Sequence, residues 1–234
     1  MIYKRIGIVG GVGPSATVLY YQKIIEGFRE RKGDEHFPEI FIHSLDLGEI
    51  HGYFAGEEYN VLREKLLRTV NGLHQAGCDF ALFSCNAMHM VFDWVQKRVK
   101  VPMVNLIDAV LKDLSQRQYK KVGLMGTTFV LRSGLYLQPL EKAGIECLMP
   151  DQKEQDWIMK AIMDDLQLPV IPEQTIERLM KVVIDFGNQG AEGVILACTD
   201  LPVGIKQEKS PISLLDSTEI HVKAVLDFAL SELT

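Results

Sequence analysis

Two stretches decide the fold, Ala81-Leu82-Phe83-Ser84-Cys85-Asn86 and Val194-Ile195-Leu196-Ala197-Cys198-Thr199. Each is a short apolar run without charge that ends in a cysteine and then a small polar residue. Short runs without polar alternation read as strands buried on both faces, the kind that fill a parallel sheet. Working outward, apolar and β-branched segments at 5–9, 40–44, 103–106, 121–125, 144–148 and 212–215 join 80–84 and 193–197 as strand candidates, four in each half of the chain. Stretches of helical period separate them, at 15–30, 58–76, 88–97, 107–117, 135–143, 151–165, 173–189 and 218–233. Hairpin signals are nearly absent. Crossover connections therefore dominate, and the class is α/β with mainly parallel sheets.

The halves echo each other beyond the two cysteine runs. Gly7-Ile8-Val9-Gly10-Gly11 has a counterpart in Gly123-Leu124-Met125-Gly126-Thr127, and Val101-Pro102 precedes the last strand of the first half as Ser210-Pro211 precedes that of the second. Three matches in one order and at nearly one spacing indicate a duplicated unit. The expected architecture is two similar lobes related by a pseudo-twofold axis, each a short, mainly parallel sheet flanked by helices. The N-terminal lobe spans 1–108, joined by the C-terminal helix 216–234, and the C-terminal lobe spans 109–215.

The chain has 234 residues, 25 basic and 31 acidic, for a formal net charge of −6. With an acidic excess and no basic stripe, nonspecific nucleic-acid binding is disfavoured. Apolar runs such as 79–84 and 193–197 are far shorter than the roughly 20 residues of a membrane span. Met1 is followed at once by a strand-like segment, without the basic and apolar regions of a secretory signal, so a cytoplasmic location is expected. In that reducing compartment Cys78, Cys85, Cys147 and Cys198, which form no C-x-x-C pair, are expected as free thiols.

Open parallel sheets bind ligands at the carboxyl ends of their strands. Cys85 and Cys198 stand there, each before a helical segment and each followed by a polar residue, Asn86 or Thr199, able to hydrogen-bond a carboxylate. A thiol at a helix N-terminus has a lowered pKa and can act as a base. Two such thiols across a cleft can remove a proton from one face of a carbon and deliver another to the opposite face. The competing reading is that each cysteine is a small apolar filler, as is expected of Cys78 and Cys147, which lack this context. A metal site is a lesser reading: Cys85, His89 and Asp93 share a helical face, but Cys198 and Asp200 would have to complete the ligand set. His89 is expected to orient the Cys85 loop or satisfy a buried polar group, and His221 to do likewise.

After the first strand, Gly11-Val12-Gly13-Pro14-Ser15-Ala16 formally fits the dinucleotide fingerprint G-x-G-x-x-A. Pro14 removes a phosphate-binding N–H, and Asp46, the acid that would hold a ribose, lies too far along the chain. A small anion held by backbone N–H groups, Gly11 and Val12 included, fits better than a nucleotide. A tight strand-to-helix turn that needs only glycine fits equally well.

Gly10-Gly11-Val12-Gly13-Pro14, Cys85-Asn86-Ala87-Met88-His89 and Ala197-Cys198-Thr199-Asp200 resemble the three signatures of the aspartate/glutamate racemase family. The likeness extends to His43–Ile50 and Asp216–His221, and so covers nearly the whole chain. The resemblance implies two α/β lobes with the active site in the cleft between them, racemisation without a cofactor or metal, and Cys85 and Cys198 as the acid/base pair. Asn86 and Thr199, with Thr127, would hold the substrate's α-carboxylate and amino group, and Gly11, Val12 and Ala87 would also belong to the substrate site. It also implies a homodimer acting on a small amino-acid or carboxylate substrate. Apolar helical faces such as 61–73 would serve that interface or, preferably, the core.

Departures from the family's pattern bear on the side chain the enzyme accepts. Ala87 replaces a threonine, and Asp200 stands where glutamate is usual. Residues 45–54 lack the Arg or Lys with which some aspartate-specific members hold a distal carboxylate, Gln167 lies near the place of such members' helix lysine, and the acids there are Asp164 and Asp165; Glu49, His89, Asp165 and Asp200 are candidate distal-group or supporting residues. Arg132 is either a substitute cation or an ordinary exposed arginine. The expected function is an amino-acid racemase, for aspartate or glutamate or of broad specificity. Alternatives are a related cysteine enzyme (maleate isomerase, hydantoin racemase or arylmalonate decarboxylase type), a nucleotide-dependent oxidoreductase, or a non-catalytic small-ligand-binding protein.

Overall fold

The computed structural model describes residues 3–33 and 35–231. These divide into two compact units, one within 1–106 and 221–234, the other 107–220. The first unit contains β1 (Ile6–Gly10), α1 (Pro14–Lys32), β2 (Ile40–Ser44), α2 (Leu47–Ala55), α3 (Tyr59–Ala76), β3 (Phe80–Phe83), a 3-10 turn (Ala87–Val91), α4 (Phe92–Gln96) and β4 (Met103–Val104). The chain then runs through α5 (Leu106–Arg117), β5 (Lys121–Gly126), α6 (Thr128–Arg132), α7 (Leu137–Lys142), β6 (Glu146–Leu148), α8 (Gln152–Lys160) and a π-turn (Ala161–Asp165). It continues with α9 (Glu173–Asn188), β7 (Gly193–Ala197), α10 (Leu201–Gly204), a 3-10 turn (Gln207–Lys209), β8 (Ser213–Asp216) and α11 (Ser217–Leu230).

The sheets have the orders β2-β1-β3-β4 and β6-β5-β7-β8, and their strand pairs are parallel. The two orders are one topology used twice, so the class is α/β with two similar four-stranded units. Strand burial follows position. β1, β3 and β7 are buried at every residue, whereas the edge strand β2 is half-buried or exposed throughout. That is why the inner strands read as uninterrupted apolar runs.

In the first unit Tyr20, Ile24 and Phe28 of α1 and Val222, Val225, Leu226 and Ala229 of α11 pack with Ile6, Ile8, Phe80 and Leu82. The apolar face of α3 is mostly core: Leu62, Leu66, Val70 and Leu73 are buried, while Val61 is exposed. In the second unit Ile158, Leu179, Val183 and Phe186 pack with Met125, Val194 and Leu196. Gly123 admits the Phe186 ring; a Cβ there would lie 2.4 Å from it.

Several elements differ from the sequence-based expectation. The helix expected at 88–97 is a 3-10 turn followed by the five-residue α4, and that expected at 151–165 ends at Lys160 in a π-turn. α2 was not expected, because Gly48 and Gly52 depress helix propensity. It forms because Asp46 caps it, accepting from the Glu49 N–H at 2.8 Å, and because Ile50 and Phe54 are buried. The expected end of the last helix, 232–233, lies outside the described residues.

Candidate active site

In the first unit the carboxyl edge of the sheet carries the β1–α1 turn, the β2–α2 junction and the Cys85 loop. Gly11 has φ +89°, and a Cβ on it would come within 2.1 Å of the Leu45 carbonyl oxygen and 2.4 Å of the Leu45 nitrogen. Only glycine fits. Its N–H donates to Thr17 Oγ1 at 2.8 Å, and Thr17 Oγ1 in turn lies 3.3 Å from Ser84 Oγ. The expectation that Gly11 offers a free N–H to an anion is therefore corrected, because that donor is bound within the turn. Val12 is buried. Asp46 does not reach for a ribose either, since its carboxylate caps α2.

Cys85 is the second residue beyond β3 and is partly exposed, while Asn86 and Ala87 after it are buried. Asn86 precedes a single 3-10 turn that begins at Ala87. The long helix that the sequence suggested, and with it the full helix dipole, is therefore absent at this thiol. His89 holds the loop from beneath. Its Nδ1–H donates to the Cys85 carbonyl at 3.0 Å, and its Nε2 accepts from the Leu106 N–H at 3.2 Å. Burial lowers its pKa to about 4, so the ring is neutral. With both ring nitrogens engaged, His89 does not serve as a metal ligand. Among the described residues no group of three or more His, Cys, Asp and Glu is placed to hold a metal.

Glu49 on α2 is not isolated. Lys65 Nζ of α3 lies 2.8 and 3.1 Å from its two carboxylate oxygens, and the Tyr53 hydroxyl donates to it at 2.6 Å. These bonds, first those from Lys65 and Tyr53, hold its pKa below the ordinary value. The segment that lacks a cation in sequence thus receives one from the next helix. The Glu49–Tyr53 spacing at i, i+4 was the available signal, concealed because α2 was not recognised.

In the second unit the equivalent edge carries Thr127, Cys198, Thr199 and Asp200. β5 and β7 are in register with Gly126 opposite Ala197, and Cys198 is the next residue, partly exposed like Thr199 and Asp200. Cys198 Sγ lies 3.7 Å from Asp200 Oδ2. Burial raises the Asp200 pKa, and hydrogen bonds from the Gln167 and Cys198 side chains oppose that rise. In the sequence Gln167 stands out only for what it replaces, and its bond to Asp200, 33 residues on, leaves no local signal. α10, which follows Cys198, has four residues, so the helix-dipole expectation is corrected here too. Thr127 caps α6, accepting from the Val130 N–H at 3.4 Å.

Two further candidates are occupied elsewhere. Arg132 forms an exposed ion pair with Asp156 at 2.5 Å, and Asp165 accepts from Thr175 Oγ1 at 2.5 Å. The buried Tyr136 hydroxyl bonds Ser217, and Ser217 donates to the Leu196 carbonyl at 2.8 Å, two residues before Cys198. Cys78 and Cys147 match a structural role, since burial pushes both thiols up to about 11. All four cysteines are free, and among the described residues no helix is long and apolar enough to cross a membrane.

The twice-used sheet with a cysteine at the same strand end defines a class of two-unit α/β proteins, and comparison places the chain within it. Residues 9–225 match the family described as Asp/Glu/Hydantoin racemase, and the chain belongs to that family. It is 24% identical over 231 residues to the broad specificity amino-acid racemase RacX of Bacillus subtilis, covering 97% of this chain and 98% of that one. An aspartate racemase homologue from Pyrococcus horikoshii superposes with a TM-score of 0.85 at 34% identity, covering 97% of this chain and all of the other. The aspartate racemase of Picrophilus torridus gives 0.74 at 27% identity, covering 98% and 96%.

Proposed function

We propose that this protein is an amino-acid racemase in which Cys85 and Cys198 are the two proton-transfer groups. The observation that carries this reading is the equivalence of the cysteines: each is the first or second residue beyond the third strand of an identically ordered sheet, partly exposed, next to a polar residue. A packing role does not require that equivalence twice. Family membership supports the reaction class. The residues 1–108 with 216–234, and 109–215, act in this reading as two lobes that each supply one sulfur.

One cysteine, as thiolate, takes the α-proton and becomes a thiol. The bonding pair stays on carbon as a planar, enolate-like carbanion, and the second thiol delivers its proton from the opposite side and becomes the thiolate. The reverse direction exchanges the two roles. Donors aimed at the carboxylate as it gains charge stabilise the carbanion; Asn86, Thr127, Thr199 and the N–H groups after each cysteine supply them. Asp200, beside Cys198, supports that thiol. The substrates are amino acids, aspartate and glutamate or a broader set, and the working form is a cytoplasmic homodimer.

The test is a panel of single L- and D-amino acids, with a 5-substituted hydantoin as a separate arm, incubated with the purified protein in deuterated water without added cofactor. Loss of optical activity with deuterium at the α-carbon is the expected result. Retained chirality and protium across the amino-acid panel would overturn the proposal.

A further inference from the structure

The first unit contains a pair of buried histidines that the chemistry above does not use. His89 and His221 lie with ring centroids 5.7 Å apart and nearly perpendicular, and His89 stacks on Phe92 at 5.3 Å with 5° between the planes. Both rings are neutral with one tautomer each, because each faces a carbonyl acceptor on one nitrogen and an N–H or O–H donor on the other. His221 Nε2–H donates to the Val104 carbonyl at 3.1 Å, and its Nδ1 accepts from the Tyr20 hydroxyl at 2.8 Å. His89 is the opposite tautomer, with the proton on Nδ1 for the Cys85 carbonyl and the lone pair on Nε2 for the Leu106 N–H.

These contacts fall at informative places. The chain leaves the first unit after Leu106 and re-enters it at His221. His89 holds the departing segment at Leu106, and His221 is itself the returning residue and holds Val104, two residues before the departure. We propose that the His89–His221 pair anchors both crossings of the chain and that His89 is a positioning residue that fixes the Cys85 carbonyl to the same anchor. The role of Cys85 rests on the reading above, whereas the anchoring does not. A buried imidazole that serves one backbone donor and one backbone acceptor ties two segments rigidly, since losing either bond leaves a buried group unsatisfied.

The two functions of His89 can be separated by substitution. Asparagine places an amide N–H near Nδ1, so His89→Asn keeps a donor for Cys85 and loses the acceptor for Leu106. Glutamine places its amide oxygen near Nε2, so His89→Gln keeps the acceptor and loses the donor. Peptide-resolved iodoacetamide labelling reports Cys85, and amide hydrogen exchange reports Leu106. In His89→Gln, labelling of Cys85 is expected to accelerate about fivefold, as for loss of one hydrogen bond from local opening, with Leu106 still protected. In His89→Asn the pattern reverses, with Leu106 exchanging about fivefold faster and Cys85 labelling within about twofold of the parent. Cys198 labelling is the internal reference and stays unchanged.

Equal effects of the two variants on both probes would overturn the proposal. So would rapid exchange of the Leu106 amide in the unsubstituted protein, a measurement that does not depend on either variant folding. If the double pattern appears and the protein racemises no amino acid, the anchoring stands and the functional reading falls.

Discussion

Lowering the pH through the histidine range should destabilise the first unit steeply. His89 and His221 have pKa values lowered to about 4 and about 3, with burial as the largest cause in each, against about 6.5 in an unfolded chain. The unfolded state therefore binds protons below about pH 6.5 that the folded state refuses, so the stability is present above that value and is lost as pH falls. At about pH 5 unfolding takes up close to two protons on these groups, a slope of about 2.7 kcal/mol per pH unit. Integrated from about pH 6.5 to about pH 5, where the unfolded histidines progressively charge, the loss is about 3 kcal/mol. Partly buried His51 adds in the same direction. Asp79 and Glu49, whose pKa values are lowered by Arg5 and by Lys65 with Tyr53, lose their contributions only at lower pH. The assay is urea unfolding of a Trp157→Phe variant, which leaves Trp94 as a reporter within the first unit. His221→Gln should halve the slope. A flat profile between about pH 5 and 6.5, or an unchanged slope in His221→Gln, would refute the neutral buried pair.

Gly11→Ala should cost on the order of 3 kcal/mol in urea unfolding, because a Cβ at φ +89° meets the Leu45 backbone at 2.1 Å; a loss below about 1 kcal/mol would mean that the turn yields. Tyr136→Phe should lower stability by about 1–3 kcal/mol by leaving Ser217 without its buried donor, while a neutral result would show that the hydroxyl chain to Leu196 carries no weight. Arg132→Ala should leave KM for any racemised amino acid within about twofold, since its partner is Asp156 and an exposed pair contributes little. A tenfold rise in KM for acidic substrates alone would restore Arg132 as the distal cation.

The fold was legible because the inner strands are buried on both faces. β2 and β7 fall at the expected bounds, and the paired glycine and cysteine motifs pointed to the repeated sheet order. What escaped detection depends on tertiary contacts. α2 rests on an Asp46 cap and two buried side chains that outweigh two helix-interior glycines. The helix after Cys85 tightens into a 3-10 turn where His89 bends back to the Cys85 carbonyl. At the site, the residue types were visible but their partners were not: Lys65 reaches Glu49 from another helix, and Gln167 reaches Asp200 from beyond a π-turn. Pairings between elements have no periodicity to read. His89 was the exception, since Cys85 is one helical turn away.

In the proposed mechanism two separate thiols handle the proton, which early-time isotope placement detects. A racemised enantiomer is incubated in deuterated water, quenched within the first few per cent of conversion, and separated by chiral chromatography for mass analysis. Two monoprotic bases predict deuterium in the newly formed enantiomer and protium in the recovered substrate, with Cys85→Ser and Cys198→Ser each nearly abolishing conversion. Deuterium entering both enantiomers at one rate, or full turnover by either serine variant, would contradict it.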